Sequence, residues 1–215
     1  MHKFILSFVL IGALFFTTQL AAQDSVVVRK IYDHALTKGN CYENLRSLCH
    51  DIGGRLSGSP EAEKAVQWAK ALLESMNLDT VYLQEVMVPH WVRGEKEVGQ
   101  IHMTNGQKTD IAVCALGGSI ATPEEGITAE VVEVFGLDEI EALGREKLEG
   151  KIVFYNRPME PREINTFHAY SGCVDQRSAG ASEAGPFGAK AVIVRSMNLR
   201  MDDLPHTGVQ YYQEG

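Results

Sequence analysis

Few side chains in this chain are placed to do chemistry, and the most concentrated group lies near its carboxyl end. Asp202, Asp203 and His206 fall within five consecutive positions of the sequence. Carboxylate and imidazole groups at such spacing can bind a metal ion. The same residues are also typical of a polar turn, in which an Asp side chain bonds to the backbone two residues further on. Both interpretations stay open at the level of the sequence, with the polar turn the stronger one.

Two further pairs of residues could act chemically, and each has a geometric weakness. His50 and Asp51 are neighbours on an expected helix, where successive side chains point about 100° apart, so both gripping one ion is awkward. Cys173 has His168 nearby in sequence, as a thiol hydrolase would need, but no third residue is placed to orient the pair. The sequence contains no phosphate-binding P-loop, no Gly-x-Ser-x-Gly elbow and no His-Glu-x-x-His helix. The residues alone therefore give no complete active site.

Composition excludes several classes of partner. The 215 residues carry 20 Lys and Arg against 28 Asp and Glu, a net charge of −8. Such an acidic chain lacks the basic footprint of a nucleic-acid binder, and it lacks the basic face that holds a protein on an anionic membrane. We expect neither nucleic acid nor membrane as a partner. The four cysteines are too few for a disulfide scaffold and are interpreted as buried side chains or free thiols.

The first 22 residues are typical of a secretory signal peptide. A weakly basic start is followed by an uncharged apolar run over residues 4–16, and Ala21 and Ala22 offer a cleavage site. A transmembrane anchor is the alternative, but a span needs about 20 apolar residues. We therefore expect the mature protein to be secreted or periplasmic, with no membrane association once the signal is removed.

The elements expected between residues 23 and 120 are helices followed by strands. Helices are predicted over residues 25–36 and 40–52, and Ser59 followed by Pro60 is a strong start signal for a third helix. That third helix has an apolar stripe, which we expect to pack into the core. A strand is predicted over residues 80–88, and Asn105-Gly106 predicts a hairpin turn with positive φ at both residues.

A Gly- and Pro-rich stretch over residues 117–126 indicates a domain boundary or linker. The chain beyond it alternates between strand and helix: strand 127–134, helix 137–148, strand 152–155, an interrupted helix 178–187 and strand 189–194. This order is typical of a small α/β module over residues 121–215. A strand at 189–194 usually feeds another helix and strand, so we expect the sequence to be a fragment of a longer protein.

Six segments, spread in order over almost the whole mature chain, together resemble the carboxypeptidase Q family of metallo-exopeptidases and its bacterial members. They are DIGGRLSGS at 51–59, VPHWVRGE at 88–95, LGGSIATP at 116–123, EGITAEV at 125–131, GKIVFYN at 150–156 and PHTGVQ at 205–210. Each segment is weak alone, and their order along the chain carries the resemblance.

The resemblance implies an α/β fold: the start of a zinc-exopeptidase domain, with helices and strands of a mixed sheet over residues 23–120, and an inserted protease-associated-like module over 121–215, incomplete in this chain. It implies two zinc ions in the full-length protein, a peptide substrate and a possible homodimer. The zinc ions would activate a bridging water and polarise the scissile carbonyl while a Glu takes the proton. None of the family's metal-binding motifs occurs in these 215 residues, so we assign no zinc ligand and no catalytic residue here and expect the ligands downstream of Gly215.

The inserted module could form one wall of a substrate cleft, because pockets often lie between domains. On that basis we predict that His206, on a loop bounded by Pro and Gly, donates a hydrogen bond to the substrate, with a structural loop histidine as the alternative. Trp91 and Arg93 are expected to finish a strand, with the guanidinium lying along the ring. A functional alternative from another class is a non-catalytic, protease-associated-like binding module.

Overall fold

The computed structural model describes residues 24–200 and 202–213, which form two compact units that divide between His90 and Trp91. The expected signal peptide, residues 1–22, lies outside the described residues. The chain is a mixture of α-helices and short β-strands, as the α/β interpretation of the sequence requires. None of the helices in the described ranges combines the length and the apolar character needed to span a bilayer.

The described part of the first unit, residues 24–90, contains three helices. Helix α1 covers residues 24–38, helix α2 covers Cys41–Ser47 and continues as a π-helical segment over Leu48–Ile52, and helix α3 covers Pro60–Glu74. The start of α3 follows the local sequence signal, because the Ser59 hydroxyl accepts a 3.1 Å hydrogen bond from the amide of Ala62 and Pro60 occupies the first helical position.

The apolar stripe of α3 does not pack into a core within the described residues. No residue of α3 is buried, and Val66 and Leu73 remain 44% and 41% exposed. The expectation of core packing was therefore wrong here. A stripe at helical spacing shows which face of a helix can be buried, but burial requires another element to cover that face.

The predicted strand over residues 80–88 is also absent, since this segment has no regular secondary structure. A strand exists only when a neighbouring backbone pairs with it, and that neighbour cannot be read from the segment itself. The second unit does contain the predicted hairpin, with β1 at Gly99–His102 antiparallel to β2 at Lys108–Ile111.

The turn of this hairpin differs from the predicted one. Only Gly106 has a positive φ, of 84°, and the amide of Gly106 donates a 3.0 Å bond to the carbonyl of Met103. The Asn105 side chain instead accepts a bond of 3.0 Å from the amide of Gln107. Asn105 thus supports the turn through its side chain and needs no left-handed backbone.

A three-stranded parallel sheet forms the centre of the second unit. Its strands are β3 at Val131–Val134, β4 at Ile152–Tyr155 and β5 at Ala191–Val194, in the spatial order β3-β4-β5. Helix α4, Asp138–Leu148, connects β3 to β4. The connection from β4 to β5 contains α5 at Thr166–Ser171, α6 at Asp175–Ser178, α7 at Gly180–Ala184 and a 3₁₀ turn at Gly185–Phe187. The predicted alternation of strand and helix is confirmed.

One face of this sheet packs against α4 and α7 in the largest buried cluster. Its members are Val134, Ile140, Leu148, Val153, Tyr155 and Ala184. Tyr155 is fully buried and its hydroxyl donates a 3.0 Å bond to the carbonyl of Gly180. Burial, with Glu183 and Asp175 adding to it, raises the pKa of the Tyr155 hydroxyl well above its usual range. The phenol is therefore a permanent donor that ties β4 to the start of α7.

A second, smaller buried cluster joins α5 and the turn after it to the segments that follow β4 and β5. Its members are Met159, Ala169, Cys173 and Met197. Beside it, the fully buried side-chain amide of Gln176 accepts from the amide of Arg157 at 3.2 Å and donates to the carbonyl of the same residue at 2.8 Å. This pair of bonds fixes the backbone after β4 against α6.

Candidate functional site

The loop that carries His206 is held in place by three anchors. The His206 amide donates a 2.6 Å bond to the Ser196 hydroxyl. The Thr207 hydroxyl donates to the carbonyl of Ala115 at 3.1 Å, and the carbonyl of Gly208 accepts from the amide of Gly117 at 2.7 Å. The loop is therefore fixed both to the end of the parallel sheet and to the segment after the hairpin.

The imidazole of His206 lies beside two polar side chains from the helical connection. Its Nε2 atom is 3.5 Å from the Tyr170 hydroxyl and 3.5 Å from Nη1 of Arg177. The Tyr170 and His206 rings meet edge to face, with centroids 5.6 Å apart. Nη1 of Arg177 donates to the Tyr170 hydroxyl at 2.5 Å. We call Tyr170, Arg177 and His206 the Arg177 cluster.

Gly208 is what lets the loop approach the guanidinium so closely. A Cβ atom on Gly208 would lie 2.5 Å from both Cζ and Nη1 of Arg177, closer than a carbon can approach without displacing the side chain. On the other side, Cζ of Arg177 lies 5.6 Å from the centroid of the Tyr170 ring. The planar group is thus confined between backbone and ring.

Asp202 and Asp203 do not build a metal site with His206. The Asp202 carboxylate accepts a 3.0 Å bond from the amide of Leu204, which is the polar-turn interpretation of this sequence. Within residues 24–200 and 202–213, no group of three or more His, Cys, Asp or Glu side chains is arranged to hold a metal ion. The described residues therefore do not form a binding site for the zinc ions that the resemblance implies.

Cys173 has the opposite properties from a nucleophilic thiol. It is fully buried, and its sulfur donates to the carbonyls of Tyr170, at 3.3 Å, and Ala169. Burial raises the pKa of the thiol, whereas a nucleophilic cysteine needs a lowered pKa and an accessible thiolate. His168 is exposed. The geometry gives no support to the thiol-hydrolase alternative. The four cysteines are free thiols, of which Cys41 and Cys49 are exposed.

Trp91 and Arg93 form a structural network. Cζ of Arg93 lies 5.1 Å from the centroid of the Trp91 ring, as predicted, although neither residue belongs to a strand. Glu97 accepts a 2.7 Å bond from the amide of Ala115 and a 2.8 Å bond from Arg93. The amide of Ala115 contributes most to lowering the pKa of Glu97, and Arg93 lowers it further. The Trp91 indole N–H also donates to the carbonyl of Ser119 at 2.9 Å, so this network joins residues 91–97 to residues 115–119.

The sequence alone does not mark Tyr170 and Arg177 as functional residues. They lie seven residues apart in sequence, on different short helices, and 36 and 29 residues from His206. No local pattern links them, because only the fold brings α5, α6 and the 205–208 loop together. The one usable signal was Gly208, whose missing side chain marks a close approach.

Comparisons with known proteins find that this chain is similar in sequence to proteins named carboxypeptidase Q. Carboxypeptidase Q from Homo sapiens is 43% identical over 174 residues, which is 81% of this chain and 34% of that protein. The Bos taurus protein of the same name is 39% identical over 191 residues, 89% of this chain and 38% of that protein. No protein-family model matches the chain.

A solved structure resembles the fold as well. The crystal structure of a peptidase M28 precursor from Shewanella amazonensis SB2B superposes with a TM-score of 0.78 at 33% sequence identity. The similarity covers 88% of this chain and 42% of that one. This chain therefore spans well under half the length of each of these relatives.

Proposed function

Because the chain is homologous to carboxypeptidase Q over about a third of that protein's length, we propose that it is part of an exported zinc-dependent exopeptidase that hydrolyses dipeptides or short peptides. The observation that carries this proposal is the 37–43% identity to carboxypeptidase Q in six species. The 0.78 TM-score to an M28 peptidase precursor supports it independently through the fold.

In this proposal the 215 residues supply scaffold and one wall of the substrate cleft. Residues 23–120 open the peptidase domain, and residues 121–215 form most of an inserted module of the protease-associated type. The parallel sheet and its helices, from Val131 to Val194, give that module a buried core of its own. The zinc ions are held by residues outside the described ranges, since no described group of side chains is arranged to bind them.

His206 is proposed to face the substrate. Its side chain is exposed, and its loop is fixed at Ser196, Ala115 and Gly117, so the imidazole has a defined position without being enclosed. In the full-length enzyme, His206→Ala should lower kcat/KM for dipeptides by about tenfold, as the loss of one substrate hydrogen bond does. His168→Ala, at another exposed histidine of the same unit, is the control. An unchanged kcat/KM in His206→Ala would overturn this role.

The proposed function is tested with the natural gene. The reading frame beyond Gly215 should encode a His-x-Asp, an Asp-Asp-Gly and a Glu-Glu motif in that order, and the purified full-length protein should hydrolyse dipeptides. Chelation should abolish this activity and added zinc should restore it. The purified 23–215 chain should show no turnover with zinc. Zinc-dependent turnover by that chain, or an inactive full-length protein, would refute the proposal.

A non-catalytic binding module is the second candidate, favoured by one observation. The parallel sheet and its helices bury a core of their own, which includes Val134, Val153 and Ala184, as a free-standing binding module would require. A stop codon directly after Gly215 would support this candidate. The downstream motifs together with chelator-sensitive peptidase activity would exclude it.

A further inference from the structure

Arg177 is a cation without an acidic partner in the described part of the chain. Five other arginines — Arg46, Arg93, Arg145, Arg157 and Arg200 — each have a carboxylate oxygen within 4.0 Å. No carboxylate of the described residues lies that close to Arg177. Arg177 is nevertheless only partly exposed, and its Nε atom is buried with no hydrogen-bond partner in the described part of the chain. A partly desolvated cation of this kind is favourable only when an anion approaches it.

The guanidinium is oriented before any ligand arrives. Nη1 is used by the Tyr170 hydroxyl at 2.5 Å, and Gly208 covers one side of the group. Nη2 has no hydrogen-bond partner among residues 24–200 and 202–213, and it is not among the enclosed atoms. Nη2 therefore keeps unused donor hydrogens and is not fully enclosed by the described residues. Because the side chain is already fixed, an incoming anion would lose little affinity to ordering it.

Two more groups stand beside this donor. The Tyr170 oxygen accepts from Arg177, which leaves the hydroxyl hydrogen available to another acceptor. The exposed His206 ring lies 3.5 Å from both partners. A guanidinium, a phenol and an imidazole at one surface position form a donor set for a carboxylate, whose two oxygens accept several bonds.

We propose that the Arg177 cluster binds the terminal carboxylate of the peptide substrate, with Arg177 as the residue that selects for a free carboxyl group. The inference rests on the proposed function, since it names what that function would recognise through these side chains. In this arrangement Arg177 supplies the charge, while Tyr170 and His206 donate to the same carboxylate from the side.

Binding without turnover tests the inference directly. The purified full-length protein, with chelator present so that no metal can take the ligand, is titrated calorimetrically with N-acetylglycine and with N-acetylglycinamide, which differ in the carboxylate alone. The acid should bind and the amide should not. Arg177→Gln should weaken acid binding by about tenfold or more, as expected for a charge-assisted hydrogen bond. Arg177→Lys should restore only part of it, because an ammonium lacks the planar fork.

Arg145→Gln is the matched control. Arg145 is an exposed arginine of the same unit that already pairs with Glu149 at 2.8 Å, so this variant should bind the acid as the parent does. Tyr170→Phe provides a second test that removes one donor and keeps the ring, and it should weaken the acid severalfold. If Arg177→Gln fails to fold, the inference is tested by whether Tyr170→Phe weakens binding of the acid.

Three results would overturn the inference: equal binding of acid and amide, acid binding that is unchanged in both Arg177→Gln and Tyr170→Phe, or inorganic phosphate binding as tightly as the acid. In the full-length enzyme, Arg177→Gln should also reduce the ratio of kcat/KM for a dipeptide acid to that for its amide. Acid binding that depends on Arg177 in a protein without peptidase activity would support the carboxylate site and refute the proposed function, so the two failures are distinguishable.

Discussion

Gly180→Ala gives the sharpest test of the packing in the second unit. Gly180 is the buried first residue of α7. A Cβ atom there would lie 2.7 Å from Cε2 and 3.1 Å from Cδ2 of Tyr155. The Tyr155 ring cannot easily yield, because it is fully buried and its hydroxyl is bonded to the Gly180 carbonyl at 3.0 Å. The added methyl must therefore shift either the ring or the start of the helix.

The expected cost follows from two opposing effects. Overpacking a close-packed core destabilises a protein by about 1–3 kcal/mol. Replacing Gly by Ala inside a helix returns at most about 1 kcal/mol, and Gly180, at the first helical position, gains less than an interior residue would. The overpacking effect is the larger one, so Gly180→Ala should lower the free energy of unfolding of this unit by about 1–2 kcal/mol.

Urea unfolding followed by far-UV circular dichroism and by tryptophan fluorescence measures this difference. Gly172→Ala is the matched control, because Gly172 has an ordinary helical φ of −67° and its new Cβ atom would lie 3.5 Å from two carbonyl oxygens, an ordinary contact. That variant should be as stable as the parent or slightly more stable. A Gly180→Ala protein as stable as Gly172→Ala would refute the close packing of Tyr155 against α7.

Three other predictions concern single groups. Glu97→Gln should lower the free energy of unfolding by about 1 kcal/mol at neutral pH, the low end for a charge-assisted bond, because the Glu97 side chain is 25% exposed. Since folding lowers the pKa of Glu97, the stability that Glu97 contributes is complete above the usual carboxyl pKa of 4.5 and is lost as the pH falls through the folded-state pKa. The urea midpoints of parent and variant should therefore converge in acid, and a difference that grows there would contradict this role of Glu97. Iodoacetamide should label Cys41 rapidly and the fully buried Cys173 only after denaturation, which mass spectrometry of the digested protein measures; equal rates in the native protein would show that Cys173 is accessible. Ser59→Ala should remove the cap of α3 and destabilise the first unit by about 1 kcal/mol, while Ser59→Asp should retain most of the stability; thermal unfolding that does not separate the two variants would argue against the cap.

The sequence determined the features of this protein that depend on neighbouring residues. Ser59 and Pro60 start α3 because capping involves the first helical turn alone. Asn105-Gly106 marks the hairpin for the same reason. The alternation of strand and helix after residue 127 could also be predicted, because β4 is a short uninterrupted apolar run and the buried positions Ile140 and Leu148 lie on one face of α4.

Strand pairing and the burial of helix faces depend on residues far along the chain, so only the tertiary structure determined them. Residues 80–88 have strand-like composition and no strand, and the apolar stripe of α3 has no cover within the described residues. In the opposite direction, Gly117 pairs with Gly208 and Val209 across about ninety positions, in a stretch that composition alone marks as a linker. A partner far along the chain leaves no trace in local periodicity.

The residues of the candidate site also differ in whether the sequence could predict them. His206 could be singled out from the sequence, because an imidazole on a loop bounded by Pro and Gly is visible as a pattern. Arg177 and Tyr170 could not, because their meeting with His206 depends on how α5 and α6 pack beside the sheet. Side-chain chemistry is thus encoded residue by residue, whereas the convergence of three donors, and the absence of an acidic partner for one of them among the described residues, arises only when the chain is folded.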